Sequence, residues 1–231
     1  MIRSPTWFLR ATHNHVHGMP AGGLHAALVH HRLVFTALAA AVLAALSLLG
    51  HPAAGVLTSA LMLAAHHLVT RRRQARIRYG ALGEERAARQ MRRIPDCHVF
   101  HDVPLGQENC DHVIVTREGV FSVEVKNHRD VLAHGAGLFI RGRPRPDVLS
   151  QARREAAKLH RLTGLPVKPL VVFAHPATRL RVRELGGVTL THVAQLPHAV
   201  TRLRRAQGTP LSVGEQTRAV TALQAALTAG R

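Results

Sequence analysis

Asp111, Glu124 and Lys126 fall within one short stretch, CDHVIVTREGVFSVEVKN, residues 110–127. The stretch is mostly apolar and alternates like a β-hairpin, with VIVT (113–116) and VFSVEVK (120–126) as β-branched runs around a turn ending in Gly119. A turn centred between Arg117 and Glu118 sets Asp111 opposite Glu124. Because side chains alternate faces along a strand, Asp111, Val113 and Val115 then share a face with Val120, Ser122, Glu124 and Lys126. Two carboxylates about 5 Å apart repel by about 3 kcal/mol at an effective dielectric of about 20. A divalent cation removes that repulsion, and Mg²⁺ suits a few carboxylates completed by waters and phosphate oxygens. Lys126 faces the same way, placed to hold or deprotonate a water or to steady charge on a phosphate. Metal-assisted phosphodiester hydrolysis is the chemistry this trio supports. A solvated strand end, with Lys126 simply paired to Glu124, is the alternative reading of the same spacing.

The elements around the hairpin predict an α/β domain over 80–231. Helix formers in GALGEERAARQMRRI predict a helix over 82–93, and HVFHDVPL (98–105) a strand. VLAHGAGLFIRG (131–142) reads as a second hairpin, followed by RGRPRP (141–146), a basic proline-containing loop. A helix over 147–164 stops at Gly164 before Pro166. Strands are expected at 167–175 and 188–193, and helices at 196–208 and 212–230, the last opened by a Ser212–Glu215 capping box. That order gives a mixed sheet with helices on both faces.

Ahead of this domain lie a His-rich segment, 1–32, and two uncharged apolar runs, 33–50 and 56–70, broken by Gly50, Pro52 and Gly55. The runs read as two transmembrane helices over 33–70, short against the roughly 20 residues that a bilayer core requires. Ala-rich core helices are the soluble alternative, and a re-entrant or interfacial second run is a further one. Arg71, Arg72, Arg73, Arg76 and Arg78 form a basic juxtamembrane linker over 71–79, suited to anionic lipid. By the positive-inside rule they, with Arg3, Arg10 and Arg32, put both ends on the cytoplasmic side of an inner membrane. Residues 1–32, with His13, His15 and His17, are expected to be a flexible tail.

The chain has 31 Lys and Arg against 13 Asp and Glu, a formal charge of +18 that favours phosphate-rich partners. Only 3% of residues are aromatic, which argues against reading single strands by base stacking. Beyond the linker, Arg141, Arg143, Arg145, Arg153 and Arg154 are the candidate nucleic-acid contacts. Cys97 and Cys110 are too few for a disulfide framework, and their spacing fits no common zinc pattern.

Three blocks carry a resemblance to a known family: GALGEERAARQM, CDHVIVTREGVFSVEVKNHRD and DVLSQARREAAKLHRL. Asp111…Glu124-Val125-Lys126 resembles the PD-(D/E)XK nuclease motif, and residues 80–165 resemble the nuclease-related domain, NERD. The residue before Asp111 is Cys110, where the motif nominally has proline. The resemblance implies a restriction-endonuclease-like mixed sheet flanked by helices. It implies Asp111 and Glu124 as ligands of Mg²⁺ or Mn²⁺ with the Val125 carbonyl as a third, and Lys126 as the catalytic lysine. Glu84 would add a carboxylate to the metal shell or orient water, and Gln151 would position Lys126 or the phosphate. Nucleic acid, DNA in the first place, is the implied substrate, and the superfamily allows a homodimer. A non-catalytic nucleic-acid-binding module and a membrane scaffold on the same fold are the competing expectations.

Overall fold

The computed structural model describes residues 15–17, 22–206 and 208–229, and among these not the side chains of 22–32, 69–70, 72–74 and 76. Arg3, Arg10 and His13, and the side chains of Arg32, Arg72, Arg73 and Arg76, therefore lie outside the described residues. In chain order the elements are β1 (His15–His17), α1 (Gly22–Leu48), α2 (Pro52–Met91), β2 (Cys97–Pro104), β3 (Asn109–Thr116), β4 (Gly119–Lys126), β5 (Val131–His134), β6 (Gly137–Ile140) and β7 (Arg143–Pro144). There follow α3 (Pro146–Thr163), β8 (Val167–Phe173), β9 (Arg183–Leu185), β10 (Val188–His192), a 3₁₀ turn at Val193–Gln195, α4 (Leu196–Ala206) and α5 (Val213–Ala229). They form two compact units, Ala21–Leu82, and Gly83–Arg231 with the N-terminal strand.

The first unit is a helical hairpin. Its turn is sharp because Gly50 takes φ 79° and the His51 N–H reaches back to the Leu46 carbonyl at 2.9 Å. Small residues let the helices approach: a Cβ on Gly55 would lie 3.2 Å from the Leu43 carbonyl oxygen, and Ser59 Oγ donates to the Ala39 carbonyl at 2.9 Å. Among the described residues no helix is long and apolar enough to cross a membrane, which corrects the expectation of two transmembrane helices over 33–70. Leu33 to Leu48 covers about 24 Å at ~1.5 Å per residue, against about 30 Å of hydrocarbon. The uncharged start of α2 opens with a proline, carries Ser59, His66 and His67, and ends at Arg71. α2 continues without a break through 71–79 to Met91, so the segment expected as a linker is helical. Gly80 and Gly83 do not start a new helix, since a helix rich in Ala, Arg and Glu carries an isolated glycine at a cost of about 1 kcal/mol.

The second unit is built on a mixed seven-stranded sheet in the order β1-β2-β3-β4-β8-β10-β9. β4 lies in the middle, antiparallel to β3 and parallel to β8. Every residue of β4 except Lys126 is buried, because helices cover both faces. Phe121, Val123 and Val125 pack with Ala87 and Met91 of α2 and Leu196 and Val200 of α4. On the other face Val113, Val115 and Val120 pack with Leu159 of α3 and Ala219 and Leu223 of α5. The β3–β4 turn is held from outside: Arg204 clasps Glu118 at 2.6 and 3.0 Å, and the Leu211 N–H donates to the Arg117 carbonyl at 2.7 Å. α3 stops where expected, with Gly164 at φ 70° and its N–H on the His160 carbonyl. The Ser212–Glu215 capping box is formed in both directions, at 2.8 and 3.2 Å.

Two pieces differ from expectation. His15–His17, expected as part of a flexible tail, is a strand parallel to β2, with the His15 and His98 rings stacked at 4.7 Å. β5, β6 and β7 form a separate small sheet, and Arg183 anchors it by donating to the Ala133 and Gly135 carbonyls at 2.8 and 3.1 Å.

Candidate active site

The β3–β4 ladder pairs Thr116 with Gly119 and His112 with Val123. Continued by one residue, this register sets Asp111 across from Glu124. The two strands therefore bring their carboxylates to one end of the sheet face that α3 covers. Asp111 Oδ2 accepts the Val125 N–H at 2.7 Å, which ties the start of β3 to the end of β4. Burial, then the Glu124 and Glu84 carboxylates, push the Asp111 carboxyl well above its ordinary range, against the pull of the Val125 N–H and Lys126.

Glu124 is 3% exposed. Its Oε1 accepts from Lys126 Nζ and from Gln151 Nε2, the latter at 2.9 Å, while its Oε2 is buried without a hydrogen-bond donor among the described residues. Lys126 also donates to Gln151 Oε1 at 3.1 Å. Burial pulls the Lys126 pKa down, but the Glu124, Asp111 and Glu155 carboxylates outweigh it and the net shift is upward. Lys126 is thus an ammonium at neutral pH, a source of positive charge and of N–H donors.

Gln151 stands in the second turn of α3, and one turn later Glu155 adds a carboxyl that sequence reasoning missed. Glu155 is fully buried, and its Oε1 accepts from Gln151 Nε2 at 2.8 Å. Burial, then Glu124, raise its pKa to about 8. The one sequence signal for it is its spacing: position 155 follows Val148, Leu149 and Ala152 on the buried stripe of α3, where an acidic residue is out of place.

Glu84 is 8% exposed on α2 and is near enough to act on the Asp111 carboxyl. The helix comes close to the end of β4 because residue 83 is glycine: a Cβ there would lie 3.0 Å from Asn127 Cβ and 3.5 Å from Ala174 Cβ. Gly83→Val should therefore lower stability by about 1–3 kcal/mol through overpacking, and thermal denaturation beside wild type checks it. On the same side of the sheet, two histidines missed by sequence reasoning face each other. His101 and His112 are buried with their Nδ1 atoms 2.7 Å apart, and burial first of all lowers both pKa values, that of His101 to about 4.

The five candidate arginines divide by what they touch. Arg141 and Arg143 are exposed, Arg141 in a left-handed turn at φ 52° before Gly142. Arg145 makes a forked pair with Asp147 at 2.7–3.2 Å, and Arg153 donates to the Gly186 carbonyl at 3.0 Å. Arg154 is exposed, and its charge helps hold the Glu108 carboxyl below its usual range, behind the hydrogen bond from Lys158. Arg141, Arg143 and Arg145 also lie on the chain that joins Lys126 to Gln151, so basic residues flank the site in sequence.

Among the described residues no group of three or more His, Cys, Asp and Glu side chains is arranged to hold a metal ion. The donors present still fit a hard cation of the Mg²⁺ kind, which takes one or two carboxylates and keeps several waters. Glu124 Oε2 is a buried acceptor without a partner, and Asp111 stands across the ladder from it. These two carboxylates and the Val125 carbonyl are the groups that would hold such an ion. Cys97 and Cys110 are buried thiols not joined in a disulfide, and burial raises the Cys97 pKa to about 11.

A family model described as the nuclease-related domain, NERD, matches residues 79–174, a span that contains Glu84, Asp111, Glu124, Lys126, Gln151 and Glu155. No curated protein and no solved structure matches the chain.

Proposed function

We propose that the chain uses residues 79–174, the segment that matches the nuclease-related domain, to hydrolyse phosphodiester bonds in nucleic acid, DNA in the first place, with Mg²⁺ or Mn²⁺. One observation carries this reading: Glu124 is buried across from Asp111, with one oxygen on Lys126 and the other without a partner. A bound divalent cation would lower the pKa of a coordinated water and offset charge on the phosphate. The chain's own residues supply the rest. Lys126 stabilises negative charge developing on the phosphoryl oxygens. Gln151 holds that ammonium from its far side, and Glu84 adds negative charge beside Asp111 to favour a cation there. Arg141 and Arg143, exposed on the basic loop, are the first candidates to take flanking phosphates, joined by Arg154. Arg145 and Arg153 would first have to leave Asp147 and Gly186.

The test is to incubate the full-length chain with supercoiled, linear, single-stranded and branched DNA and with RNA, in Mg²⁺, in Mn²⁺ and in EDTA. Cleavage that requires the cation is expected. Cleavage that proceeds equally in EDTA would refute the metal assignment. Binding without cleavage, weakening steeply as salt rises, would instead favour the non-catalytic module.

A second part of the proposal concerns the helical hairpin, which we read as attaching the chain to the cytoplasmic face of a bilayer rather than crossing it. Leu38, Leu48, Val56, Leu57, Leu61 and Leu68 are exposed on its two helices, and no Asp, Glu, Lys or Arg stands between Leu33 and Thr70. Helices that expose this much apolar surface suit lipid, and the arginines from Arg71 onward suit anionic headgroups. Full-length chain should float with vesicles of phosphatidylcholine and phosphatidylglycerol. Leu57→Glu/Leu61→Glu should leave it in the soluble fraction, and flotation unchanged by that double substitution would count against lipid attachment.

A further inference from the structure

Glu155 belongs to the site although it reaches neither Lys126 nor solvent. Its position is on the buried stripe of α3 among Val148, Leu149, Ala152, Ala156 and Leu159, where an apolar side chain would pack without penalty. Its Oε1 accepts from Gln151 Nε2 at 2.8 Å, and its carboxyl also lies against that of Glu124. Gln151 has an amide with two unlike ends. Lys126 can only donate, so it needs the carbonyl end, and Gln151 Oε1 receives it at 3.1 Å. Glu124 Oε1 accepts from the Nε2 end at 2.9 Å, and Glu155 Oε1 accepts from the same nitrogen. Spacing by four residues on one helix makes the Gln151–Glu155 pair local, so α3 itself sets its geometry.

We propose that Glu155 is a positioning residue, whose carboxyl locks the Gln151 amide so that its carbonyl presents the Lys126 ammonium toward the phosphate. The role rests on the nuclease reading of the site. With two acceptors on Nε2 the amide cannot turn its oxygen toward Glu124 without facing two oxygens at once. Without Glu155 only Glu124 orients the amide, and Lys126 is free to settle wholly on the Glu124 carboxylate. Outer-layer partners of this kind usually contribute about 10–100-fold to activity.

The experiment compares full-length wild type, Glu155→Leu and Glu155→Gln, in steady-state cleavage and in the side-chain amide region of the ¹⁵N–¹H NMR spectrum. Gln151→Glu assigns the amide pair. Glu155→Leu keeps the volume and removes the acceptor. Its kcat should fall about 10–100-fold, with KM for DNA within about twofold and a melting temperature no lower than wild type. Its Gln151 amide pair should move to solvent-like shifts. Glu155→Gln keeps an acceptor oxygen and should restore both readouts. If the Leu variant does not fold, Glu155→Met takes its place. Wild-type kcat with an unmoved Gln151 amide in the apolar variant would overturn the proposal, as would failure of Glu155→Gln to restore either readout. A wild-type chain that cleaves nothing overturns the nuclease reading alone, and the amide resonances then decide whether Glu155 positions Gln151.

Discussion

Glu124→Ala should fold and lose about 10³-fold or more of the metal-dependent cleavage rate, a larger loss than any other single change in the site. Scale comes from what the side chain does at once. It is a buried carboxylate across the ladder from Asp111, and it accepts both Lys126 and Gln151. Removing it takes a cation ligand and the orientation of Lys126 together. Preorganised charge at a reacting phosphate is commonly worth about 10²–10³-fold for each group removed. Lys126→Ala should fall nearly as far for a related reason: it removes the ammonium that pairs with Glu124 and that Gln151 Oε1 accepts. The double variant Glu124→Ala/Lys126→Ala should be no slower than the worse single variant, because residues acting as a unit are not additive. Single-turnover rates at saturating Mn²⁺ read all three. A Glu124→Ala chain that cuts at the wild-type rate would remove Asp111 and Glu124 as the metal pair, and multiplicative losses in the double variant would separate Lys126 from them.

Much of this geometry is legible in the sequence. β-branched runs either side of a turn ending in Gly119 fix the register of β3 on β4, and a period of two then decides which side chains share a face. Asp111, Glu124 and Lys126 follow from that register alone. Local chemistry also marked the end of α3 at Gly164 and the start of α5 at Ser212. What escaped was non-local or ambiguous. The pairing of His15–His17 with β2 joins residues about 80 positions apart through a strand too short to show a period. The unbroken run of α2 was hidden because Gly80 and Gly83 look like punctuation, yet Gly83 serves the close approach of the helix to Asn127. Burial of both faces of β4 depends on α4 and α5, whose amphipathic patterns do not say which strand they will cover. Glu155 escaped because an acidic residue in a helix reads by default as solvated, and its place on the apolar stripe of α3 was the one sign that packing would enclose it.

Metal-free chain should be less stable at pH 8 than at pH 6.5, by about 2 kcal/mol from Glu155 alone. The sign follows from proton counts. A carboxyl whose pKa is raised from 4.5 in the unfolded chain to about 8 in the fold keeps its proton in the native state where the unfolded state has lost it. Stability therefore falls as pH rises between those values, and Asp111, also raised, acts in the same direction. The buried histidine pair opposes this below pH 6.5. His101 is lowered from 6.5 to about 4, and burial first of all lowers His112 well below 6.5. In that window the unfolded chain binds the protons, so each histidine makes stability fall as pH drops, by up to about 1.4 kcal/mol per pH unit. Below pH 6.5 the histidines oppose the carboxyls, which leaves the loss from Glu155 most exposed above 6.5. Chemical denaturation in EDTA across pH 4.5–8.5 reads the balance. Glu155→Gln should flatten the alkaline limb and unmask a fall on the acid side, since the histidines then face only Asp111. Equal stability of wild type at pH 6.5 and 8, with no change in slope on Glu155→Gln, would show that Glu155 is ionised in the fold.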